Sequence, residues 1–295
     1  MSTSGLFNNK WLPLWLAGPQ LVIVLIFFYW PTIQALWWSF TLERPFGGGS
    51  TFVGLYNYQE LFEDPELLYS LWISIVFAIG TTGVSIFGAM LLAVAADRKI
   101  RAKRVFRNVL VWPYAIAAPV VGVTFSFLMH PVVGAFSILN TISPELWQPA
   151  INGVHAMIMI VLASAWTQIP FFFIIFLSGL QAIPDTYHHA AAIDGAGPWR
   201  RLKDIQLPLM TPFIFFALIM GMSDSFTGSF GIIHTMTQGG PGGATNLLVY
   251  KIYSDGFVGL DLSGSSAQSV LLMILVVIFT VLNFRFIERK VHYQR

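Results

Sequence analysis

Apolar residues in this chain come in runs too long for a soluble core, and polar residues are gathered between them. A helix needs about 20 apolar residues to cross a ~30 Å hydrocarbon layer. Runs of that order lie at about 11–38, 71–96, 109–129, 156–180, 210–233 and 267–286. The pattern predicts an all-α polytopic membrane protein with six transmembrane helices. Aromatic residues stand at both ends of the first run (Trp11 and Trp15; Tyr29, Trp30, Trp37 and Trp38), where amphipathic rings suit the two interfaces. That run is longer than a signal-peptide core, and no small-residue cleavage site follows, so it is expected to be retained. Pro113, Pro119 and Pro170 fall inside the third and fourth runs, where they weaken the local hydrogen-bond ladder as hinges or as static kinks. The connections are polar at 39–70, basic at 97–108, irregular at 130–155 and Gly-rich at 234–264, none long enough to bury a core of its own.

Charge fixes the orientation. With residues 1–10 in the cytoplasm, six spans leave both termini inside. The inside segments then hold Lys10, six basic residues at 98–107, three at 200–203 and four at 285–295, fourteen of the 16 Lys and Arg. Only Arg44 and Lys251 fall outside. That distribution follows the positive-inside rule. The 98–107 cluster reads as topology and lipid headgroup contact, not as a nucleic-acid site.

One segment between two runs has the composition of a soluble helical element. Residues 184–212 read PDTYHHAAAIDGAGPWRRLKDIQLPLMTP. Pro184 suits a helix start, where a missing N–H costs nothing. Three alanines follow at 190–192, and Gly195, Gly197 and Pro198 break the helix. Trp199, Leu202 and Ile205 then recur near one face of a second short helix, with Arg200, Arg201 and Lys203 elsewhere. The expected form is helix, tight turn, short helix on the membrane surface, at 184–209 and on the cytoplasmic side. A bent face of small residues admits close approach by another protein, so the segment is a candidate docking element. Read on spacing alone, it is equally a plain connector.

Composition agrees with the pattern. Of 295 residues, 56% are hydrophobic and 10% charged, whereas a soluble domain carries about 25% charged residues. No cysteine is present, so there is no disulfide framework and no chemistry built on sulfur. No GxxxxGK[ST] occurs. Gly47-Gly48-Gly49-Ser50-Thr51 and Gly239-Gly240-Pro241-Gly242-Gly243 lack the lysine and the strand–loop–helix setting, and read as turn formers. The chain is not expected to bind ATP itself.

The residues His189-Ala190-Ala191-x-x-x-Gly195, then nine residues, then Ile205-x-Leu207-Pro208, resemble the EAA motif of binding-protein-dependent ABC importer permeases. The spacing is intact; His189 stands where that family usually has Glu. Phe52-Val53-Gly54-Leu55-x-Asn57-Tyr58 and Thr237-x-Gly239-Gly240-Pro241-x-x-Ala244-Thr245 are similar to early and late periplasmic signatures of its carbohydrate-type members. Three further stretches resemble the glycerol-3-phosphate branch. They are Tyr250-Lys251-Ile252-Tyr253-x-x-Gly256-Phe257-x-Gly259-Leu260-Asp261-Leu262 with Ala267-Gln268-Ser269-Val270, the run Ala191 to Pro198, and Trp11-Leu12-Pro13 with Pro19-Gln20-Leu21.

The resemblance implies a type I ABC importer permease fold in the bacterial inner membrane. It implies a non-catalytic subunit working with a second homologous permease, a dimer of ATPase subunits that bind ATP and Mg, and a periplasmic substrate-binding protein. No cofactor or metal is implied for this chain. The coupling residues it implies are His189, Ala190, Ala191, Asp194, Gly195, Ile205, Leu207 and Pro208. The substrate implied is glycerol 3-phosphate or a glycerophosphodiester, with a sugar or polyol as the alternative. Residues 43–66 and 234–262 are the expected contacts of the binding protein.

Inside the runs, candidates for the translocation path are few. Asp224 is ionisable at membrane depth, where such residues face a path or a partner far more often than lipid. An ionised Asp is an awkward lining for an anion, so it is equally a structural group, hydrogen bonded or protonated. Gln168, Ser225 and Thr227, with Ser223 and Ser229, are neutral candidates that serve equally as contacts between helices. No Lys or Arg lies within a run except Arg285 at the inner end of the last, so any phosphate must find its cation elsewhere, or use helix N-termini. His130, His155 and His234 lack metal-ligand spacing and are expected to hydrogen bond near the interface.

Two other classes compete. An ion-coupled carrier would be built from paired inverted repeats with intramembrane ions; the chain has one intramembrane Asp and no clear repeat. A membrane enzyme would bring two or more titratable groups together at one membrane face. The acidic patch of Glu60, Glu63, Asp64 and Glu66 is the only such cluster, and it reads as a solvated helix face.

Overall fold

The computed structural model describes residues 12–44, 48–97 and 103–286. Residues 1–10, Arg98, Lys99 and Arg101 of the basic cluster, and the tail beyond 286 lie outside them. The chain divides into two compact units, one drawn from Met1–Asp64 and Ile252–Leu271, the other from Pro65–Lys251 and Leu272–Arg295.

The first unit opens with helix α1 (Leu12–Val24), which passes through a π turn (Leu25–Tyr29) into α2 (Trp30–Trp38). None of the window Trp15–Trp38 is buried within the protein. A largely apolar helix with no internal cover needs lipid or another chain around it. A two-stranded antiparallel ribbon follows, β1 (Thr41–Glu43) against β2 (Ser50–Phe52), with Thr41 opposite Phe52. Helix α3 (Tyr56–Glu63) then folds back. Asn57 is buried, and its Nδ2 donates to the carbonyls of Ser39 (2.9 Å) and Thr41 (3.0 Å). The Tyr58 hydroxyl donates to Ser39 Oγ at 2.8 Å, and its ring lies 5.6 Å from that of Phe40. The stretch Phe52–Tyr58 is therefore a clasp that fixes the chain as it leaves α2. Glu60 and Glu63 are exposed on α3, a solvated face. Within the same unit the Glu43 N–H donates to Ser263 Oγ at 2.7 Å, and Gln268 Nε2 to Asp255 Oδ2 at 2.7 Å.

The second unit begins with α4 (Pro65–Asp97) and α5 (Lys103–Val111), a 3-10 turn (Trp112–Ala115), α6 (Ala118–Leu128), α7 (Ser137–Ile142) and α8 (Gly153–Gln181). Then come α9 (Asp185–Ile193), α10 (Pro198–Arg201), a π turn (Leu202–Gln206), α11 (Leu207–Leu209), α12 (Thr211–Thr227) and α13 (Phe230–Met236). Helices α14 (Leu248–Tyr253) and α15 (Leu262–Phe286), joined through a π turn (Ser254–Val258), each contribute residues to both units. Helix α4 buries small residues: Ala89, Ala93 and Ala96 share a core with Phe172, Phe173 and Phe176 of α8, and Ala78 packs in another with Met222 and Phe226 of α12. In lipid no hydrophobic gain drives helices together, so close packing of small against large side chains must do it. Asn152 caps α8, its side chain accepting from the N–H groups of Val154 and His155, two of the donors that a helix start leaves unpaired.

Among the described residues, four helices are long and apolar enough to cross a membrane: Trp15–Trp38, Pro65–Asp97, Gly153–Gln181 and Leu262–Arg285. The number rises to six if each of two bent pairs is one span. The third run, expected as one helix over 109–129, is such a pair, bent by 109° between Asn108–Ala115 and Ala118–Leu128. Ile116 and Ala117 are extended there, with Pro113 and Pro119 in the first turns on either side. The fifth run, expected over 210–233, is α12 followed by the separate α13, and the segment leading into it bends by 67°. Pro170, by contrast, sits inside an unbroken α8.

The Gly-rich stretch after α13 closes on itself. Thr245, fully buried, places its Oγ1 2.6 Å from the Gly240 carbonyl and 2.8 Å from Thr237 Oγ1. The Leu248 N–H donates to Ser74 Oγ of α4 at 2.8 Å. Its glycines are turn formers in a packed loop.

Candidate functional site

The segment 184–209 is a helix, a tight turn and a second helical stretch. Asp194 ends α9, and Gly195 follows at φ +68°. The Ala196 N–H donates to the Ala191 carbonyl (2.9 Å) and the Gly195 N–H to the Ala192 carbonyl (3.2 Å). That is the paired closure of a Schellman turn, which needs a left-handed residue, and glycine takes that conformation without strain. Gly197 then caps α10 with Pro198 in its first turn. Arg201 Nε donates to the Ala196 carbonyl at 2.7 Å, holding the turn from the far side.

His189, Ala190, Asp194, Gly195 and Pro208 are exposed, and Ile205 and Leu207 half-buried. Ala191 departs from the expected docking face. It is 5% exposed, so its methyl group packs inside the chain while its carbonyl closes the turn. Ile193 and Trp199 are 88% and 75% exposed, and supply the uncovered apolar surface of this element in its place. Arg200 and Asp204 form an exposed pair at 3.5 Å, of a kind that adds little stability.

A second place is a cavity of about 240 Å³ between α8, α12 and the bend after α5. Its polar lining is Tyr114, Ser164, Thr167, Gln168, Asp224 and Ser229. Gln168 joins three helices. Its Oε1 accepts from Ser85 Oγ of α4 at 3.0 Å, and its Nε2 donates to Asp224 Oδ2 (3.0 Å) and Ser225 Oγ (3.1 Å) of α12. Ser225 Oγ also lies 3.4 Å from Thr82 Oγ1. Ser164 is 3% exposed, and its hydroxyl has no hydrogen-bond partner among the described residues.

Gln168, Asp224 and Ser225 are thus brought together. Thr227 is not: it is exposed, and its hydroxyl donates to the Ser223 carbonyl of its own helix. Ser229 lines the cavity. Ser164, Thr167, Thr82 and Ser85 escaped the sequence reading. Their signal was spacing: 164 with 168, and 82 with 85, recur on one helix face, as 221, 225 and 228 do on α12. His130 Nδ1 accepts from the N–H groups of Val132 and Val133, and His155 Nδ1 from that of Gln148. Both therefore brace their loops.

Residues 11–293 match the family described as "Binding-protein-dependent transport system inner membrane component". The chain belongs to that family: it is a multi-pass inner-membrane permease of a binding-protein-dependent ABC importer. It is 46% identical over 287 residues to the "sn-glycerol-3-phosphate transport system permease protein UgpA" of Rhizobium meliloti, covering 97% of this chain and 98% of that one. It is 43% identical to the protein of the same name from Pectobacterium atrosepticum, over 293 residues and 99% of each chain. The fold is shared with a chain of a bacterial alginate ABC transporter in complex with an alginate pentasaccharide-bound periplasmic protein. There the TM-score is 0.82 at 16% identity, over 97% of this chain and 96% of that one.

Proposed function

We propose that the chain is one of two homologous permease subunits that import glycerol 3-phosphate or glycerophosphodiesters. Energy comes from a separate ATPase dimer that binds ATP and Mg, and substrate from a periplasmic binding protein. Both termini and the 184–209 element lie in the cytoplasm in this reading. The observation that carries it is the near full-length match, at 43–46% identity, to permeases named for glycerol 3-phosphate, joined to a turn-closed helix pair that leaves Ile193 and Trp199 uncovered. ATP-driven closure of the ATPase dimer moves that helix pair, and the helices around the cavity tilt with it.

One observation favours the neutral sugar or polyol as a second reading. The cavity carries a carboxylate and, among its lining residues, no Lys, Arg or His.

The test is uptake of labelled glycerol 3-phosphate by cells with this chain deleted and then restored, with unlabelled maltose as competitor. Uptake that is lost, regained and indifferent to maltose supports the reading. Uptake indifferent to deletion, in cells without another carrier, removes it and turns the assay to polyols.

A further inference from the structure

The connection between α6 and α8 closes its own backbone with side chains. His130 Nδ1 accepts from the N–H groups of Val132 and Val133. Asn140 Nδ2 donates to the carbonyls of Pro131 (3.2 Å) and Trp147 (3.0 Å), and its Oδ1 accepts from the Trp147 N–H (2.8 Å). The Trp147 indole donates to the Met129 carbonyl at 2.7 Å, and His155 Nδ1 accepts from the Gln148 N–H at 3.0 Å. A loop in water can leave such groups to the solvent. Where water is scarce, non-helical backbone has to be satisfied by protein.

The side chains of this connection are sorted the opposite way from those of a soluble loop. Trp147 is buried, its ring 5.2 Å from that of Phe136 and 5.3 Å from that of His155. Val132, Val133, Ile138, Ile142, Ile151 and Val154 are instead 63–75% exposed. Ile138 and Ile142, four positions apart, share one face of α7. Val154 already belongs to the long apolar helix Gly153–Gln181, and the exposed Val123 and Phe127 lead in from α6. The uncovered apolar surface of the connection thus continues that of the helices on either side.

Apolar exposure on this scale marks a contact surface. Three occupants compete for it: lipid, the second permease and the binding protein. Composition favours lipid. Residues 131–154 carry one charged side chain, Glu145, and no Lys, Arg or Tyr. Protein interfaces are anchored by Trp, Tyr and Arg, with Val under-represented. Here the Trp is turned inward and the outward side chains are Val and Ile.

We propose that residues 131–151 are seated in the membrane interface, with Val132, Val133, Ile138, Ile142 and Ile151 in lipid. An apolar face of this kind sinks into the boundary between headgroups and acyl chains. The connection between α6 and α8 is then an embedded element of the outer leaflet, in the orientation read from charge, and not an aqueous loop. A face seated in lipid is not available to the binding protein, so docking is left to the other outward segments. The proposal rests on the chain being a membrane permease and is independent of the substrate.

The chain has no cysteine, which makes the test direct. Ile138→Cys, Ile142→Cys and, as an aqueous reference on exposed α3, Glu63→Cys are each labelled with a polarity-sensitive bimane. The label is read in the complete transporter, its other subunits freed of cysteine, in vesicles of phosphatidylethanolamine and phosphatidylglycerol. Nitroxide-bearing lipid and aqueous iodide serve as the two quenchers. The expected result is blue-shifted emission at 138 and 142, quenching by the nitroxide lipid, and loss of the iodide quenching seen at 63. Both isoleucines point out of the fold, so their replacement leaves the hydrogen bonds of the loop in place. Iodide quenching equal to that at 63 overturns the proposal and makes the segment an aqueous loop. Shielding from both quenchers also overturns it, and assigns the face to another subunit.

Discussion

Gln168 Nε2 of α8 reaches Asp224 Oδ2 of α12 at 3.0 Å, while its Oε1 is held by Ser85 of α4. One side chain thus sets the spacing of three helices and fixes the rotamer of a carboxylate at the cavity wall. Ser85 also donates within 2.6 Å of the Thr81 carbonyl, so removing Gln168 leaves it a partner. Asp224 Oδ2 loses its partner, and Ser225 Oγ keeps only the longer contact to Thr82 Oγ1 at 3.4 Å.

Gln168→Leu should therefore destabilise through the loss of its bonds to Asp224 and Ser225. Hydrogen bonds between membrane helices average about 0.6 kcal/mol and reach about 1.7, so a loss of roughly 1–3 kcal/mol is expected. The thermal unfolding midpoint of purified protein in detergent would show it as a clear drop. A midpoint equal to wild type would mean the network is not what joins α8 to α12.

At Gly195 the cost is in the backbone. A non-glycine residue at φ +68° pays roughly 1–2 kcal/mol for left-handed geometry, and Asn tolerates it best. Gly195→Ala should lower ATP-coupled uptake with normal membrane levels of the protein, and Gly195→Asn should keep more of it. Equal activity of the two variants would show that the turn is not needed for coupling.

The helical character and the positions of the long apolar helices were legible because runs of apolar residues leave a chain few other options. The turn at Gly195 was legible too, since glycine after an alanine run is a local signal. What could not be read was which residues of different helices meet. Gln168 and Asp224 are 56 positions apart, and nothing in either neighbourhood names the other. Ala191 misled for the same reason: a methyl group belongs to the surface or to the core depending on what lies beside it. The break at Ile116 was half visible, in Pro113 and Pro119, but proline alone does not tell a kink from a full reversal. Pro170 makes the point, standing within a continuous helix.

Asn57 offers a test in the first unit. Its amide spans two carbonyls, Ser39 and Thr41, in a buried position. Asn57→Ala would leave both carbonyls unpaired, at roughly 1–3 kcal/mol each where water cannot replace the amide. The expected result is faster proteolysis within residues 39–64 in inside-out or right-side-out vesicles, whichever exposes that segment. Protection from both sides, equal to wild type, would show that the ribbon and α3 are held by other contacts.

His189 tests how much charge the docking element needs. It is exposed on α9, where replacement disturbs no packing, and it stands at a position where the motif it resembles usually carries Glu. A neutral imidazole cannot supply a full negative charge. If the ATPase groove still presents a cation there, His189→Glu gains a partly solvated ion pair. Such pairs are worth about 0.2–1 kcal/mol, a ~1.4–5-fold tighter contact. The expected outcome is a rise in ATP-coupled uptake of that order, smaller at high salt because exposed pairs are screened. His189→Gln serves as the control that alters size and hydrogen bonding without adding charge. Uptake unchanged or reduced by His189→Glu would mean that the partner surface has adapted to the imidazole. The contact would then rest on Ile193, Trp199 and the shape of the turn.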